Sequence, residues 1–378
     1  MASHFRTLEI EDVRQETADC VSIAFSIPPE LKEEFAFQQG QNITIRFRIG
    51  DAEVRRSYSI CSSPLDNELR IAIKKVTSGL FSTYANEQLR QGHKLEVLAP
   101  SGKFYTELKP ENRKHYLAFA AGSGITPVLS LIKTTLAVEP DSHFTLVYGN
   151  RYRLSIIFRE ELEALKNRHM RRLSLHHILS REQMDIPLYQ GRIDAEKCKE
   201  LCDRLIDLSS MDEIFLCGPA EMIFTVKDWL EQQGIDKKKI HFELFHTQTG
   251  EPVAGQGPTG GKGSGGKTGS KAGIAAGEDP ALKEAVSRVT VRLDGVSHEF
   301  DLPYEGDSIL DAALLQGADL PFACKGGVCC TCRARLLEGK VEMDVNYALE
   351  ADELAAGFVL TCQSHPRSEK IIIDFDVK

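Results

Sequence analysis

Apolar and polar residues alternate along the first hundred positions. Val21-Ser22-Ile23-Ala24-Phe25-Ser26-Ile27, Gln41-Asn42-Ile43-Thr44-Ile45-Arg46-Phe47 and Leu69-Arg70-Ile71-Ala72-Ile73-Lys74 follow a period of two, with Gly or Pro in the gaps. That period predicts strands with one buried face, and a small antiparallel β-barrel disposes of their open edges. From Tyr116 the rhythm changes. Tyr116-Leu117-Ala118-Phe119-Ala120-Ala121 is an unbroken apolar run, Gly122-Ser123-Gly124-Ile125-Thr126-Pro127 reads as a turn, and Val128 to Leu136 reads as a helix opened by Pro127. Phe144 to Gly149, Leu173 to Ser180 and Glu213 to Cys217 predict further strands, and Ile157 to Lys166 a helix. Strand and helix alternate, which predicts an α/β domain with a parallel sheet.

The pattern then vanishes. From Gly250 to Gly277 the chain holds 11 of its 29 glycines, and no aromatic lies between Phe245 and Phe300. Such a stretch cannot bury enough apolar area to offset its ordering entropy, so a flexible linker is expected. About 30 residues of this kind span roughly 30 Å root-mean-square. The expected organisation is a barrel at 1–110, an α/β domain at 111–247, a linker at 248–282 and a tethered domain at 283–378. With 378 residues and 42% hydrophobic content, each domain can bury a core. Met1-Ala2-Ser3-His4-Phe5-Arg6-Thr7 is not an apolar signal segment, and no run approaches a membrane span. A cytoplasmic protein with no membrane partner is expected.

Charge is uneven. Residues 281–378 carry 17 Asp and Glu against 10 Lys and Arg, so −7 of the net −9 lies there. The excess disfavours nucleic acid as a partner and leaves two readings, a docking surface for a basic protein patch or a simple aid to solubility. This acidic quarter also carries the strongest chemical signal. Cys324-Lys325-Gly326-Gly327-Val328-Cys329-Cys330-Thr331-Cys332 followed by Cys362 has the plant-type spacing for a 2Fe-2S cluster. Two sulfide-bridged irons need four converging thiolates, and Gly326 and Gly327 let the backbone curl around them. Zinc modules usually bring two C-x2-C-like pairs, whereas only Cys329 and Cys332 form one here. Cys330 reads as a small filler with a ligand role as its alternative, and Cys20, Cys198 and Cys202 as ordinary thiols.

Other motifs suit nucleotides. Gly122 and Gly124 allow close backbone approach ahead of a helix N-terminus, which favours a pyrophosphate, although glycine can serve such turns for geometry alone. Ser180-Arg181 and Cys217-Gly218-Pro219 end predicted strands, where ligands bind in an open sheet, and a cation at Arg181 suits a 2′-phosphate. In Arg56-Ser57-Tyr58-Ser59, Arg56 can fork onto phosphate, Tyr58 offers a ring face and Ser59 a hydroxyl. Gly79-Leu80-Phe81-Ser82 opens a helix that could hold the same diphosphate. Each alone is also readable as a surface charge or a turn.

Taken in order, R-x-Y-S, G-x-x-S, G-S-G-I-T-P and C-G-P resemble the ferredoxin-NADP reductase superfamily, and the cysteine loop resembles plant-type ferredoxins. The resemblance covers essentially the whole chain outside the linker. Asp307-Ser308-Ile309-Leu310-Asp311-Ala312-Ala313, Gln316-Gly317-Ala318-Asp319-Leu320-Pro321 and Asp352-Glu353-Leu354-Ala355-Ala356-Gly357 look like the phenylacetyl-CoA epoxidase reductase subfamily. The resemblance implies an FAD-binding barrel, an NADP-binding α/β domain and a β-grasp 2Fe-2S ferredoxin domain of α+β class. It also implies a set of roles. Arg56, Ser57, Tyr58, Ser59, Gly79, Phe81 and Ser82 would bind FAD, and Ile73 and Lys74 would bind a cofactor. Gly122, Gly124, Thr126, Pro127, Asn150, Arg151, Ser180, Arg181, Cys217, Gly218 and Pro219 would bind NADPH. Ser59, Thr126, Cys217, Glu243 and Phe245 would surround the reacting rings, with Phe245 the flavin's cover. Cys324, Cys329, Cys332 and Cys362 would hold the cluster. The implied enzyme is an NAD(P)H-dependent oxidoreductase passing electrons from NADPH through FAD and 2Fe-2S to a diiron oxygenase component. The alternatives are a reductase of another oxygenase and a general diaphorase. FAD would stand between a two-electron donor and a one-electron acceptor.

Overall fold

The computed structural model describes residues 4–49, 52–245 and 285–377, and the linker expected at 248–282 lies outside the described residues. The first region contains β1 (Arg6–Thr17), β2 (Cys20–Ser26), β3 (Asn42–Ile49), β4 (Ala52–Ser59), β5 (Leu69–Lys74), α1 (Leu80–Glu87) and β6 (Lys94–Val97). The strands pair in the order β4-β3-β6-β1-β2-β5 in antiparallel fashion. A bridge between Ile60 and Ile71 brings the chain just after β4 against β5 and closes the barrel. Leu8, Ile10, Ile23, Ile43, Ile45, Ile71 and Phe81 fill its interior.

The second region runs β7 (His115–Ala121), α2 (Ile125–Val138), β8 (His143–Asn150), α3 (Arg159–Arg168), β9 (Leu173–Leu179), α4 (Ala195–Arg204), β10 (Glu213–Gly218), α5 (Ala220–Gln232) and β11 (Ile240–Leu244). Its sheet is parallel, in the order β11-β10-β7-β8-β9. The chain winds from β7 to one side and then to the other. The switch point therefore lies between the carboxyl ends of β7 and β10, where such sheets form a crevice. Helix α2 starts at Ile125 rather than Val128, so Pro127 falls in its first turn, where a missing N–H breaks no helical bond. Helix α3 starts later than expected because Phe158 takes a left-handed φ of 59° before it.

Strands β2 and β5 depart from the alternation read in the sequence. Both are buried on both faces, Arg70 included. Their outer sides meet the second region instead of water: Cys20 and Ala72, with Cys61 from the chain after β4, share one apolar cluster with Val128, Leu129 and Ile132 of α2.

The third region contains β12 (Val286–Leu293), β13 (Val296–Pro303), α6 (Ile309–Leu315), β14 (Arg333–Glu338), β15 (Val341–Met343), α7 (Ala351–Ala355), β16 (Phe358–Leu360), β17 (Ser364–Pro366) and β18 (Lys370–Asp374). A mixed sheet in the order β13-β12-β18-β14-β16 packs on Ile309, Leu310 and Ala313 of α6, and β15 pairs with β17 beside it. Ser308 caps α6 by accepting a hydrogen bond from the Asp311 N–H. This is an α+β fold. No helix among the described residues is long and apolar enough to cross a membrane.

Candidate redox site

The nucleotide motifs gather at one edge of the parallel sheet. Gly122 follows β7, Asn150 ends β8, Ser180 follows β9, and Cys217 and Gly218 end β10. Gly122 has φ of +54°, and its carbonyl accepts a hydrogen bond from the buried Tyr148 hydroxyl at 2.9 Å. Gly124 is small for another reason. A Cβ there would lie 2.1 Å from the Cys217 carbonyl oxygen, so this glycine serves the packing of α2 on β10. Thr126 donates to the Ser123 carbonyl at 3.0 Å. Lys74 reaches from the barrel to within 3.8 Å of the Cβ position on Gly122, adding a cation at the turn. Ser180 and Arg181 hydrogen-bond through their N–H groups to the carbonyls of Asn150 and Arg151. The exposed guanidinium of Arg181 and exposed Pro219 flank this edge. Asn150 is buried at the same edge, next to Tyr148.

Beside this edge, barrel and cysteine loop share a cleft. From the barrel it is lined by Asn42, Arg56, Ser57 and Ser59, from the end of β11 by Glu243 and Phe245, and from the third region by Cys324 and Cys329. Glu243 accepts hydrogen bonds from Ser59 Oγ at 3.1 Å and Asn42 Nδ2 at 3.2 Å. Burial pushes its carboxyl up to about 7, against the two hydrogen bonds. Asn42 Oδ1 is buried and unpartnered in the same place. Arg56 donates to the Arg55 carbonyl at 2.7 Å.

Other expected residues sit behind the cleft. The Tyr58 ring packs toward Phe81, 5.8 Å between centroids, on the barrel core, and burial raises its hydroxyl pKa. Phe81 and Ile73 are themselves core side chains, leaving only their backbone groups to meet a ligand. Gly79 is forced by its own loop, since a Cβ would fall 2.3 Å from Ser82 Oγ and 2.4 Å from Val76 Cγ2. Ser82 Oγ accepts from the Val76 N–H and donates to the Gly79 carbonyl, tying that turn to α1.

The four spaced cysteines converge as two couples. The Cys329 thiol hydrogen-bonds to Cys324, and Cys332 to Cys362. As acceptor of that bond and of the Gly326 N–H at 3.3 Å, Cys324 is pulled down, while its donor Cys329 is pushed up. Among the described residues no three Cys, His, Asp or Glu are grouped to hold a single ion. Two couples are what two irons require, so the donor set fits a dinuclear cluster. The loop backbone is also tight: Gly327 has φ of +70°, and a Cβ would lie 2.9 Å from the Val345 carbonyl oxygen. Cys330 takes a different partner, donating to the Ala348 carbonyl at 3.4 Å. Cys20 and Cys198 are buried thiols and Cys202 is half-buried.

Comparison with known proteins accords with this geometry. Residues 7–105 match the oxidoreductase FAD-binding domain, 119–228 the oxidoreductase NAD-binding domain and 291–367 the 2Fe-2S iron-sulfur cluster binding domain. The chain is 44% identical over 374 residues to a component of the 1,2-phenylacetyl-CoA epoxidase of Escherichia coli (strain K12), covering 99% of this chain and 98% of that one. The chain belongs to the iron–sulfur flavoprotein reductases of oxygenase systems. This reductase is also 34% identical over 373 residues to the ferredoxin reductase component of 3-ketosteroid-9-alpha-monooxygenase of Rhodococcus rhodochrous, covering 97% and 96% of the two chains. Its fold is that of phthalate dioxygenase reductase, with a TM-score of 0.55 at 21% identity over 98% of each chain. The reductase is an NAD(P)H-dependent oxidoreductase whose cofactors are FAD and a 2Fe-2S cluster. Asn42 and Arg55 are the cleft and loop partners that sequence did not single out. Both are strand residues whose partners lie roughly two hundred or more positions away.

Proposed function

We propose that this reductase passes electrons from NADPH through FAD and its 2Fe-2S cluster to the diiron oxygenase component of a phenylacetyl-CoA epoxidase. The observation that carries the electron path is the shared cleft, in which Ser59 and Glu243 face Cys324 and Cys329. The identity to an epoxidase component over almost the full length supports the partner. When bound, FAD would supply the conversion between a two-electron hydride donor and a one-electron acceptor.

The chain's residues hold and orient. Arg56, with Ser57, the Gly79–Ser82 turn and the backbone at Ile73 and Phe81, holds the flavin and its diphosphate, and Phe245 covers the ring. Ser59 Oγ and Glu243 keep a proton at the cleft, since a carboxyl near 7 is divided between its two forms at neutral pH. Lys74, Gly122 and the first turn of α2 take the nucleotide's phosphates, and Asn150, Arg151, Ser180 and Arg181 its adenosine end, with Arg181 selecting the 2′-phosphate. Thr126, Cys217 and Gly218 line the nicotinamide side. Cys324, Cys329, Cys332 and Cys362 ligate the cluster. Residues 1–110, 111–247 and 283–378 are the three units, joined by 248–282.

The test is reconstitution. The purified protein shows flavin bands with a broad iron–sulfur shoulder, and with NADPH it drives epoxidation of phenylacetyl-CoA by the oxygenase component. Absence of both chromophores overturns the electron path. Support of a steroid monooxygenase but not of the epoxidase overturns the partner alone.

A further inference from the structure

We propose that Arg55 is a positioning residue that fixes the distance between flavin and cluster. The inference rests on the electron path proposed above. Arg55 lies on β4 next to Arg56, yet its side chain turns away from the flavin cleft and is only 4% exposed. A charge in the middle of a barrel strand ordinarily faces water. Here the guanidinium spans two regions of the chain. Nε donates to Glu53 at 2.8 Å, Nη2 to Asp319 at 2.8 Å and Nη1 to the Leu320 carbonyl at 3.0 Å. Its Cζ lies 4.2 Å from the centroid of the Phe322 ring and 4.9 Å from that of Phe5.

The target of these contacts matters more than their number. Asp319-Leu320-Pro321-Phe322-Ala323 leads straight into Cys324, and Ala323 and Cys324 line the same cleft as Arg56. One guanidinium therefore clamps the stem of the cysteine loop to the strand that carries the flavin-side residues. The third region does not need the clamp to fold, because its core cluster from Val289 to Ile373 is drawn from that region alone among the described residues. Other polar contacts support this face: Arg46 lies 3.5 Å from Asp319, and Lys103, 47% exposed, pairs with Glu353 at 2.6 Å. A lysine could not replace Arg55, since one ammonium cannot fork between a carbonyl and a carboxylate while stacking on a ring. The step served moves one electron from reduced flavin to oxidised cluster, with NAD(P)H as ultimate reductant; no bond forms or breaks. Its rate falls steeply with separation.

The experiment uses the full-length protein with both cofactors, as wild type, Arg55→Gln and Arg55→Lys, with Phe322→Leu approaching the same contact from the other side. Stopped-flow absorbance follows cluster reduction by the flavin. Ferricyanide turnover reads the flavin directly, and zero-length carbodiimide cross-linking of Lys103 to Glu353 reads docking without any electron transfer. Arg55→Gln should slow cluster reduction at least about tenfold and lower the cross-link yield. Ferricyanide turnover should stay within about twofold. Arg55→Lys should recover little of either loss, and Phe322→Leu should reproduce them in weaker form. A variant that cross-links and reduces its cluster like wild type overturns the inference, as does an equal fall in ferricyanide turnover. Failure of the electron path itself would look different, as a wild type whose flavin never reduces its cluster.

Discussion

The barrel meets its two neighbours in opposite ways. Against the parallel-sheet region it shares a hydrophobic core: Cys20, Cys61, Ala72 and Phe104 join α2 and Phe215 in one cluster, with Phe104 edge-on to Phe215 at 5.3 Å. Buried hydrogen bonds stitch the same junction, Ser130 donating to the Ser62 carbonyl at 2.6 Å and Ser63 Oγ lying 2.9 Å from Thr134 Oγ1. Lys133 crosses it to reach Asp66 at 2.6 Å. Against the third region the barrel offers charges and ring faces. Arg55 meets Asp319, which is 69% exposed, Lys103 meets Glu353, and Arg46 lies 3.5 Å from Asp319. Hydride transfer needs the two rings in contact and in register, which a common core enforces. A single electron can cross a gap, so the second junction needs only docking.

The largest effect that separates the two junctions should come from Cys329→Ser, which removes a cluster ligand. Electron delivery to the oxygenase should be abolished while ferricyanide reduction through the flavin persists, as steady-state assays with both acceptors would read. Next comes Phe104→Ala. Truncating this buried ring should cost about 3–5 kcal/mol. Calorimetry should show barrel and parallel-sheet region melting together at lower temperature, with the third region's transition unmoved. Arg181→Ala should cost roughly 1.5–3 kcal/mol in kcat/KM for NADPH and little for NADH; equal losses would show that Arg181 does not select the 2′-phosphate.

A smaller effect concerns Glu243. Its carboxyl titrates near 7 in the folded chain, above its usual range, because burial disfavours the charged form. The protonated form's advantage is therefore complete at low pH and is lost as pH rises toward about 7. Thermal melts of flavin-stripped protein should show wild type losing stability relative to Glu243→Gln over that interval, and a constant difference would refute the shift. The smallest effect should be that of salt. Raising ionic strength from about 0.1 to about 1 M shortens the screening length from about 10 to about 3 Å. Asp319→Asn should cost no more than about 1 kcal/mol. Both should slow flavin-to-cluster transfer modestly and leave flavin reduction by NADPH unchanged.

Much of this was legible in the chain. The period-two runs located β2, β3 and β5, the apolar run before Gly122 located β7, and the cysteine spacing named its chemistry before any coordinate. What the pattern could not give was which polar positions become buried between regions. Arg70 read as a polar position of an alternating strand and Arg55 went unmarked, yet both are buried by packing that alternation within one strand cannot reveal. Gly124 read as a phosphate-facing glycine, whereas contact with the Cys217 carbonyl is what demands it. Spacing identified four thiols as a set but not their division into couples, and it could not join Asn42 to Glu243 across the sequence.

The self-contained core of the third region has an evolutionary consequence. A segment that borrows no interior side chain from its neighbours can be gained, lost or moved by recombination without repacking what remains, and its fit need only be adjusted at a few surface positions. The barrel and the parallel-sheet region have no such seam: with Phe104 seated among the side chains of the other region, the two must be inherited and must diverge as a single unit.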